Sequence, residues 1–346
     1  MEKFELNNID EKSPFIIAEI SANHQQNKNS AINLIDLAIE SGADAVKFQT
    51  FTPDSITLNS DKEIFKLKED NNWGGNSLYD LYSEGYTPYE WHEELFKYSY
   101  SKNIIPFSSV FSIQDLDFLE SISCELYKIA SYEASDLELI KEVASKGKTV
   151  FISIGGCSEK EVQAAIDILE SNLDKNFVIF NCLSAYPAPL KEMSFGRITR
   201  LKEEFKIRTG FSDHSIDERS AIISYALGAR FFEKHIMLDN EEPLDYEFSA
   251  DKISFTKYVE TLHDVANSIE NSRFKPQPSE MTNLIFKRSI FSTKNIKKGE
   301  VFTKQNTKSV RPSSGLHPSL YEDLLGSVCL MDVDINSPIE AKHYLS

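Results

Sequence analysis

The sequence has few cysteines and no long hydrophobic run. No segment of its 346 residues approaches the ~18 consecutive apolar residues of a membrane span, and the first residues, MEKFELNNIDEKSP, are too polar for a secretory signal. The four cysteines are scattered and form no CxxC pair: Cys124, Cys157, Cys182 and Cys329. We therefore expect a cytoplasmic protein that does not bind membranes and has neither a disulfide framework nor a zinc knuckle.

Positive charge is also scarce. The chain has 37 Lys and Arg against 54 Asp and Glu, which gives a formal net charge of −17. A negative field of this size repels nucleic acid and anionic lipid, which argues against non-specific binding to either. An anionic small molecule would bind only where the fold gathers several cations. The hydrophobic content of 41% is sufficient for a sizeable core, and the length indicates two domains or a barrel with an appendage.

Short apolar runs alternate regularly with helical patterns along most of the chain. We predict strands at 15–20, 45–50, 105–110, 126–131, 149–154, 177–182, 207–212 and 230–235. Such runs are typical of parallel strands that are buried on both faces. Eight strands alternating with helices predict an α/β fold, a (β/α)8 TIM barrel. An open, doubly wound sheet is the alternative, but SANH follows the first strand instead of a glycine-rich phosphate turn.

Two of the predicted helices carry recognisable end signals. The helix after the first strand, NSAINLIDLAIESG, ends on Gly42, and glycine is typical of helix C-termini. The helix TPYEWHEELFKYSYSK begins with Thr87 as its predicted cap and Pro88 in its first turn. These end signals support the prediction that helices lie between the strands.

The chain changes character after a long helix predicted at residues 254–271. The segment SRFKPQPSE is polar and carries two prolines, which indicates a linker. We predict a barrel domain at 1–272, a linker at 273–284, and a small, mostly β domain at 285–346. A long insertion at 52–86, between the second and third strands, is either a functional loop or a surface elaboration.

Polar and ionisable residues lie at the end of every predicted strand. From the first strand to the eighth they are Glu19, Asn23 and His24; Lys47 and Gln49; Ser108 and Ser109; Lys128, Ser131 and Glu133; Ser153; Asn181, Ser184 and Tyr186; Ser212, Asp213 and His214; and Lys234 and His235. The carboxyl ends of the strands form the active-site face of a (β/α)8 barrel. A ring of polar side chains would be unfavourable in a packed apolar core, so we predict a polar site at this end of the barrel.

Two lysines and two glutamates stand out because they lie in apolar surroundings or near the predicted strand ends. Lys47 and Lys128 lie within otherwise apolar strands, where a buried ammonium needs a partner. Together with the neighbouring hydroxyl groups they indicate a site for a small phosphate or phospho-carboxylate. Glu19 and Glu133 are candidates for general acid–base chemistry. The alternative for each lysine is a solvated position on the rim of the barrel.

Two histidines, His214 and His235, end successive strands. Such a pair can share one divalent cation and leave positions open for water and substrate. Imidazole ligands suit Mn, Fe, Co or Zn. A hydrogen-bonded structural role is the open alternative for both rings. The residues together predict a metal-assisted lyase or transferase that acts on a small phosphorylated acid.

Several of these segments resemble the motifs of the sialic acid synthase family, whose members condense phosphoenolpyruvate with an amino sugar. The matching segments are IIAEISANH, GADAVKFQT, YKIAS, SDHS and EKHIMLD, and the C-terminal part resembles an antifreeze-like (SAF) domain. SANH, LYDLY, YTPYEWHEELF and SVRPSSGLHPSLYEDLLG look most like the branch that makes pseudaminic acid from 2,4-diacetamido-2,4,6-trideoxy-L-altrose, a diacetamido amino sugar. The chain departs from the family pattern at SVF and SIG, where members often have Ser/Thr-Pro-Phe and Ser-Thr-Gly.

The resemblance implies roles for individual residues. It implies a divalent metal, Mn²⁺ first with Mg²⁺ or Co²⁺ as alternatives, bound by His214 and His235. It implies catalytic roles for Glu19, Lys128, Glu133 and Asp245, and substrate contacts from Lys47, Gln49, Ser109, Ser131, Ser153, Ser184, Tyr186 and Ser212. It also implies a domain-swapped homodimer in which Arg311 reaches the sugar bound by the partner subunit.

Other functions remain open at this stage. The N-acetylneuraminate and N,N'-diacetyllegionaminate branches share the motifs. Heptulosonate and octulosonate synthases share the barrel and the phosphoenolpyruvate chemistry, but they are not expected to carry the C-terminal domain. A metal hydrolase would need more metal ligands than two histidines. A sugar- or phosphate-binding relative without catalytic activity is the non-enzymatic alternative.

Overall fold

The computed structural model of the chain describes residues 4–10, 12–68, 73–270 and 273–344. The chain forms two compact units, Met1–Asn271 and Ser272–Ser346. The predicted end of the barrel domain, residue 272, lies outside the described residues.

Eight parallel strands close into a barrel in the first unit, and they follow one another around it in chain order. The strands are β1 Phe15–Glu19, β2 Ala45–Thr50, β3 Ile105–Val110, β4 Leu126–Ile129, β5 Thr149–Ser153, β6 Phe177–Cys182, β7 Arg208–Asp213 and β8 Phe231–His235. Strand β8 pairs with β1 and closes the barrel. The predicted TIM barrel is therefore confirmed. The fourth strand is shorter than predicted and ends before Ser131.

Helices connect the strands and cover the outside of the barrel. They are α1 Lys28–Glu40, α2 Pro53–Ile56, α3 Leu78–Gly85, α4 Tyr89–Ser101, α5 Ile113–Ser121, α6 Leu137–Ser145, α7 Glu159–Leu173, α8 Gly196–Glu203, α9 Arg219–Leu227 and α10 Lys252–Glu270. Short 3-10 helices lie at Leu6–Asn8, Glu63–Phe65, Glu133–Ser135, Leu190–Glu192 and Tyr246–Phe248. None of the helices in the described part of the chain is both long and apolar enough to cross a bilayer.

Gly42 terminates α1 as predicted. Its φ of +87° is left-handed, a conformation that glycine adopts without the steric penalty of a side chain. The N–H of Gly42 donates to Ile39 O at 3.0 Å, and the N–H of Ala43 donates to Ala38 O at 2.9 Å. These two bonds satisfy carbonyl groups that the end of the helix would otherwise leave free.

The predicted cap of α4 is wrong. The helix begins at Tyr89, and Pro88 occupies the cap position without a side-chain hydrogen bond. The hydroxyl group of Thr87 lies instead 3.0 Å from His24 Nε2, in the interior of the domain. A buried imidazole needs a hydrogen-bond partner, and this requirement takes Thr87 away from the helix end.

A cluster of phenylalanine rings fills the barrel beneath its polar end. The ring centroid of Phe151 lies 5.7 Å from Phe107, 5.2 Å from Phe180 and 5.4 Å from Phe231. Gly210 makes room for this cluster, because a Cβ there would lie 2.6 Å from the Phe180 ring. The ring of Phe180 therefore packs directly against the backbone of β7.

The second unit has its own small core and a two-stranded antiparallel sheet, β9 Ser289–Ser292 with β10 Thr307–Val310. Helix α11 Tyr321–Leu324 and the 3-10 helices Pro278–Phe286, Pro318–Leu320 and Ala341–His343 complete it. The core consists of Ile290, Ile296, Phe302, Leu324, Cys329, Val333 and Ile339. The predicted small, mostly β domain is confirmed, whereas the predicted linker contains most of one 3-10 helix.

We expect Gly210→Ala to lower the free energy of unfolding of the barrel by ~1–3 kcal/mol, because the added methyl group overpacks the Phe180 ring. The matched control is Gly196→Ala at the first residue of α8, where a Cβ would meet nothing within 4 Å. Urea denaturation followed by tryptophan fluorescence measures the difference, since Trp73 and Trp91 both lie in the first unit. Equal stability of the two variants would contradict the close packing at Gly210.

Candidate active site

A cavity of about 560 Å³ lies at the carboxyl ends of the barrel strands. Its lining includes every barrel residue to which the family resemblance gives a role except Glu19: Lys47, Gln49, Ser109, Lys128, Ser131, Glu133, Ser153, Ser184, Tyr186, Ser212, His214, His235 and Asp245. Glu19 is buried and contacts two of these residues, Lys47 and Gln49. The fold therefore brings these residues into one site.

The two-residue period of a strand decides which polar side chains reach the cavity. Gln49 follows Lys47 by two residues and His214 follows Ser212 by two, so each pair lies on the inner face. Six residues that we expected in the polar ring do not line the cavity: Asn23, His24, Ser108, Asn181, Asp213 and Lys234. Lys234 is adjacent to His235 and faces the other way, where its ammonium donates to Ser215 O at 2.6 Å.

Lys47, on β2, lies between two buried carboxylates. Its ammonium forms an ion pair with Glu19, donates to Ser109 Oγ at 3.0 Å, and lies 3.7 Å from Glu233 Oε1. Burial disfavours its charge, but the two carboxylates outweigh this effect and hold the pKa of Lys47 above its usual value. Gln49 donates to Glu19 Oε1 at 3.1 Å, so Glu19 is held by two neighbours.

Lys128, on β4, is paired with Glu233, a residue that we did not predict. Its ammonium donates to Glu233 Oε2 at 2.6 Å. Burial, together with the positive charge of Lys47, lowers the pKa of Lys128 although Glu233 opposes the shift. Burial of Glu233 favours its neutral form, but Lys128 and Lys47 outweigh this and lower its pKa to about 2. Glu233 stands two residues before His235, so strand periodicity could have identified it.

Hydroxyl groups and a glycine turn lie beside the lysines. The Oγ atoms of Ser153 and Ser212 are 3.1 Å apart. After β5, the N–H of Gly155 donates to Ser131 Oγ at 3.2 Å, and a Cβ at Gly155 would lie 2.2 Å from Ser184 Oγ. Only glycine lets the backbone approach these hydroxyl groups so closely. Neutral donors around two ammonium groups make a suitable cradle for a phosphate or carboxylate.

His214 and His235 lie side by side, with ring centroids 5.5 Å apart. His214 Nδ1 lies 3.1 Å from the carbonyl oxygen of Leu183, so Nδ1 carries the hydrogen and Nε2 keeps its lone pair. Burial and the neighbouring His235 lower the pKa of His214 to about 3, which keeps this ring neutral. Asp245 Oδ2 lies 3.3 Å from Nδ1 of the second ring, His235.

The two rings fit a divalent cation. His214 Nδ1 lies at hydrogen-bond distance from a carbonyl oxygen, and His235 Nδ1 lies 3.3 Å from a carboxylate oxygen. A carbonyl or carboxylate oxygen beside the second ring nitrogen is the usual environment of a metal-ligating histidine. Within the described ranges, no group of three or more His, Cys, Asp or Glu side chains forms a complete metal site. The pair would therefore supply two ligands to a cation and leave the other positions to water and substrate, as a catalytic metal requires.

Glu133 begins the 3-10 helix after β4 and lines the cavity. Its Oε2 is buried, and it has no hydrogen-bond partner within the part of the chain that the structure describes. Burial raises the pKa of Glu133 to about 7, with a contribution from the negative charge of Asp136. A carboxyl group with this pKa can accept or release a proton near neutral pH, as general acid–base catalysis requires.

Aromatic rings form a further part of the cavity wall. The Tyr186 ring lies 4.6 Å from that of His214, 4.9 Å from Phe248 and 5.6 Å from Trp73. Trp73 belongs to the insertion at 52–86, which therefore contributes to the site and is more than a surface elaboration. We did not predict Trp73, because a lone tryptophan in a polar stretch carries no spacing signal.

Arg311 is the one predicted site residue that belongs to the second unit. It follows β10 directly and is exposed. Its guanidinium carbon lies 5.8 Å from the ring centroid of Phe286. The predicted role of Arg311 in a partner's site stays a prediction.

Comparison with known proteins identifies two families in the chain. The NeuB family matches residues 34–273, and the SAF domain matches residues 287–345. The NeuB match spans more than half of the chain and includes every predicted site residue from Lys47 to Asp245.

Individual relatives align over nearly the full length. The chain is 38% identical over 335 residues to the pseudaminic acid synthase of Campylobacter jejuni serotype O:23/36, covering 96% of this chain and 97% of that protein. It is 31% identical to an N,N'-diacetyllegionaminic acid synthase of C. jejuni serotype O:2, and the match covers 92% of this chain and 96% of that protein. The crystal structure of an N-acetylneuraminic acid synthetase from Leptospira borgpetersenii superposes with a TM-score of 0.69 at 27% identity. The superposition covers 82% of this chain and 95% of that chain. The chain belongs to the NeuB family.

Proposed function

We propose that the protein condenses phosphoenolpyruvate with 2,4-diacetamido-2,4,6-trideoxy-L-altrose to give pseudaminic acid and phosphate. The observation that carries this proposal is the 38% identity to a pseudaminic acid synthase over 96% of the chain. The identity to a legionaminic acid synthase is lower, at 31%. The cavity supports the proposal, because it combines two buried ammonium groups, a set of hydroxyl groups and a pair of imidazoles.

Lys47 and Lys128 bind the phosphate and carboxylate of phosphoenolpyruvate, with Ser153 and Ser212 as neutral donors. Both ammonium groups are buried, so their attraction for an anion is stronger than it would be in water. The net charge of the chain is −17, and Glu19 and Glu233 offset the two lysine charges within the protein. Lys47 and Lys128 therefore serve an anionic substrate as charged hydrogen-bond donors held in place by their carboxylate partners.

His214 and His235 would hold the divalent cation, with Mn²⁺ preferred over Mg²⁺ or Co²⁺. A divalent cation in such a site supplies Lewis-acid polarisation of a carbonyl oxygen. His214 is ready to act as a ligand at neutral pH, because its pKa of about 3 keeps Nε2 unprotonated. Asp245 lies beside His235 Nδ1 and would orient that ring for the cation, and Tyr186 packs against His214.

The reaction balances with the residues that line the cavity. Carbon 3 of phosphoenolpyruvate attacks the aldehyde carbon of the open-chain sugar, and water adds at carbon 2. The tetrahedral intermediate then loses phosphate by cleavage of its C–O bond. Glu133 accepts the proton that the attacking water loses, which its pKa of about 7 permits. This proton balances the one that the former aldehyde oxygen takes up to become a hydroxyl group. The second proton of the water leaves the carbon 2 hydroxyl group with the departing phosphate, and carbon 2 becomes a keto group. Gln49 and Tyr186 position the sugar, while Glu19 holds Lys47 in place.

We expect purified protein with Mn²⁺, phosphoenolpyruvate and the diacetamido altrose to release phosphate together with an equal amount of a nine-carbon acid, identified by mass spectrometry. A chelator should abolish the reaction and Mn²⁺ should restore it. In heavy-oxygen water the released phosphate should carry no label, because C–O cleavage leaves the bridging oxygen on phosphorus.

The controls for this assay are the sugars of the related branches, each supplied alone because pseudaminic and legionaminic acids are isomers of equal mass. Faster turnover of N-acetylmannosamine or of the legionaminic precursor would assign the protein to that branch. No phosphate release with any of the sugars would indicate a non-catalytic relative.

We expect Glu133→Gln to lower kcat by roughly 10²–10⁴, because the amide cannot accept a proton. In the protein with Glu133 intact, kcat should rise with pH through about 7, where this carboxyl group loses its proton. The variant should lack that inflection, while phosphoenolpyruvate still binds in calorimetry. Glu138→Gln, an exposed neighbour, is the control and should keep the inflection. An unchanged inflection in Glu133→Gln would exclude Glu133 as the proton acceptor.

We further propose that the protein acts as a domain-swapped homodimer in which Arg311 completes the partner's site. Arg311 is exposed on the second unit, and its planar set of donors suits sugar hydroxyl groups or an acetamido oxygen.

Mixing two inactive variants, Arg311→Ala and Lys128→Ala, tests this arrangement. If each barrel uses the Arg311 of its partner, a mixed dimer holds one site with both residues intact and regains up to about half of the activity of one dimer. Phosphate release is measured after subunit exchange has been verified by native mass spectrometry. No recovery would mean that Arg311 acts within its own chain or not at all.

A further inference from the structure

Glu233 is the most connected buried carboxylate in the cavity, and no step of the proposed reaction uses it. It accepts a hydrogen bond from Lys128 at 2.6 Å and one from Ser212 Oγ at 3.2 Å, and Lys47 lies 3.7 Å away. Ser212 in turn lies 3.1 Å from Ser153. One carboxylate thus contacts three of the groups proposed to bind phosphoenolpyruvate and reaches a fourth through Ser212.

The charge of Lys128 depends on Glu233 more strongly than the charge of Lys47 depends on it. Lys47 has a second carboxylate partner in Glu19, whereas Glu233 is the one carboxylate within ion-pair distance of Lys128 among the described residues. The groups that face Lys128 from the surrounding strands are Lys47 on β2, the ring of Phe180 and the thiol of Cys182 on β6, Ser212 on β7 and Glu233 on β8. Most of these neighbours are neutral or positive.

An ammonium group in this position needs an anion to stay charged. The Phe180 ring, with its centroid 4.5 Å from the ammonium, contributes some attraction through its negative face, but it cannot replace a full negative charge. Burial and Lys47 already lower the pKa of Lys128, and Glu233 opposes them. Removal of the Glu233 charge would lower that pKa further, so Lys128 would lose its proton at a lower pH than in the unmodified protein.

We propose that Glu233 is a positioning residue that keeps Lys128 charged and correctly placed to bind phosphoenolpyruvate. This inference rests on the proposed function, since it assumes that Lys128 binds that substrate. Glu233 acts through Lys128, and the carboxylate need not touch the substrate. A structural role alone would make the site weaker to the same extent at every pH, whereas a counter-ion for Lys128 makes the loss grow as pH rises.

The experiment compares Glu233→Gln with the unmodified protein by calorimetric titration of phosphoenolpyruvate. The full-length chain is used with Mn²⁺ and without sugar, at about pH 6.5 and about pH 8.5. The charged fraction of a lysine falls about tenfold for each pH unit above its pKa. We therefore expect the ratio of the two dissociation constants, variant over unmodified, to rise at least about fivefold between these pH values. The ionisation of phosphoenolpyruvate itself changes both dissociation constants by the same factor, so it cancels in their ratio.

Two further variants act as controls. Glu233→Asp keeps the negative charge, so its ratio should stay constant with pH. In Glu233→Gln/Lys128→Arg the arginine cannot lose its proton, so the pH dependence of the glutamine variant should disappear. If Glu233→Gln does not fold, as judged by circular dichroism, the aspartate variant still tests the proposal, because a ratio that rises with pH in a charge-retaining variant would overturn it.

The outcomes separate this inference from the proposed function. If the unmodified protein binds no phosphoenolpyruvate at either pH, the proposed function fails. If it binds phosphoenolpyruvate and the Glu233→Gln ratio is constant with pH, only the role of Glu233 is overturned. The counter-ion role is supported if the ratio of dissociation constants rises with pH for Glu233→Gln and stays constant for Glu233→Asp.

Discussion

The site depends on four buried charges that balance one another inside the barrel. Lys47 pairs with Glu19, and Lys128 pairs with Glu233, while Lys47 also lies 3.7 Å from Glu233. Each of these ions would be costly to bury alone, and several kcal/mol per ion is a general estimate for the desolvation penalty. The two pairs come from four strands, so they stabilise the strand register that brings these charges together. The same arrangement keeps both ammonium groups ready for an anionic substrate.

Alternation along the strands sorts the remaining polar groups into two sets. Inward residues such as Ser212 and His214 serve the cavity, whereas their outward neighbours build the support behind it. Asp213 accepts hydrogen bonds from Ser215 at 2.6 Å and from Ser220 at 2.8 Å, and Lys234 donates to Ser215 O. These bonds hold the loop that carries His214. In the motif SDHS, Ser212 and His214 therefore face the site, and Asp213 and Ser215 fix the loop behind them.

Burial has opposite consequences for different side chains of the same cavity. It keeps His214 neutral, which suits a metal ligand, and it raises the pKa of Glu133 to about 7, which suits proton transfer. Among the described residues, no opposite charge lies close enough to either side chain to reverse the effect of burial. The lysines keep their charges because each is paired with a buried carboxylate, Lys47 with Glu19 and Lys128 with Glu233. An acidic chain can thus present a site for an anion, since pairing and burial decide the local field more than the net charge does.

The sequence by itself determined the eight strands, the helices between them and most of the residue types at the strand ends, because apolar periodicity and motif resemblance are local signals. Strand alternation, also local, could have identified Glu233 and excluded Lys234. Only the tertiary structure decided which charges pair: Glu233 and Lys128 are 105 residues apart. It also decided that Thr87 meets His24 instead of capping a helix, and that Trp73 of the insertion reaches the cavity. Such contacts depend on strand register and loop path, which no short stretch of sequence specifies, because burial and charge act between residues that are brought together only when the barrel closes.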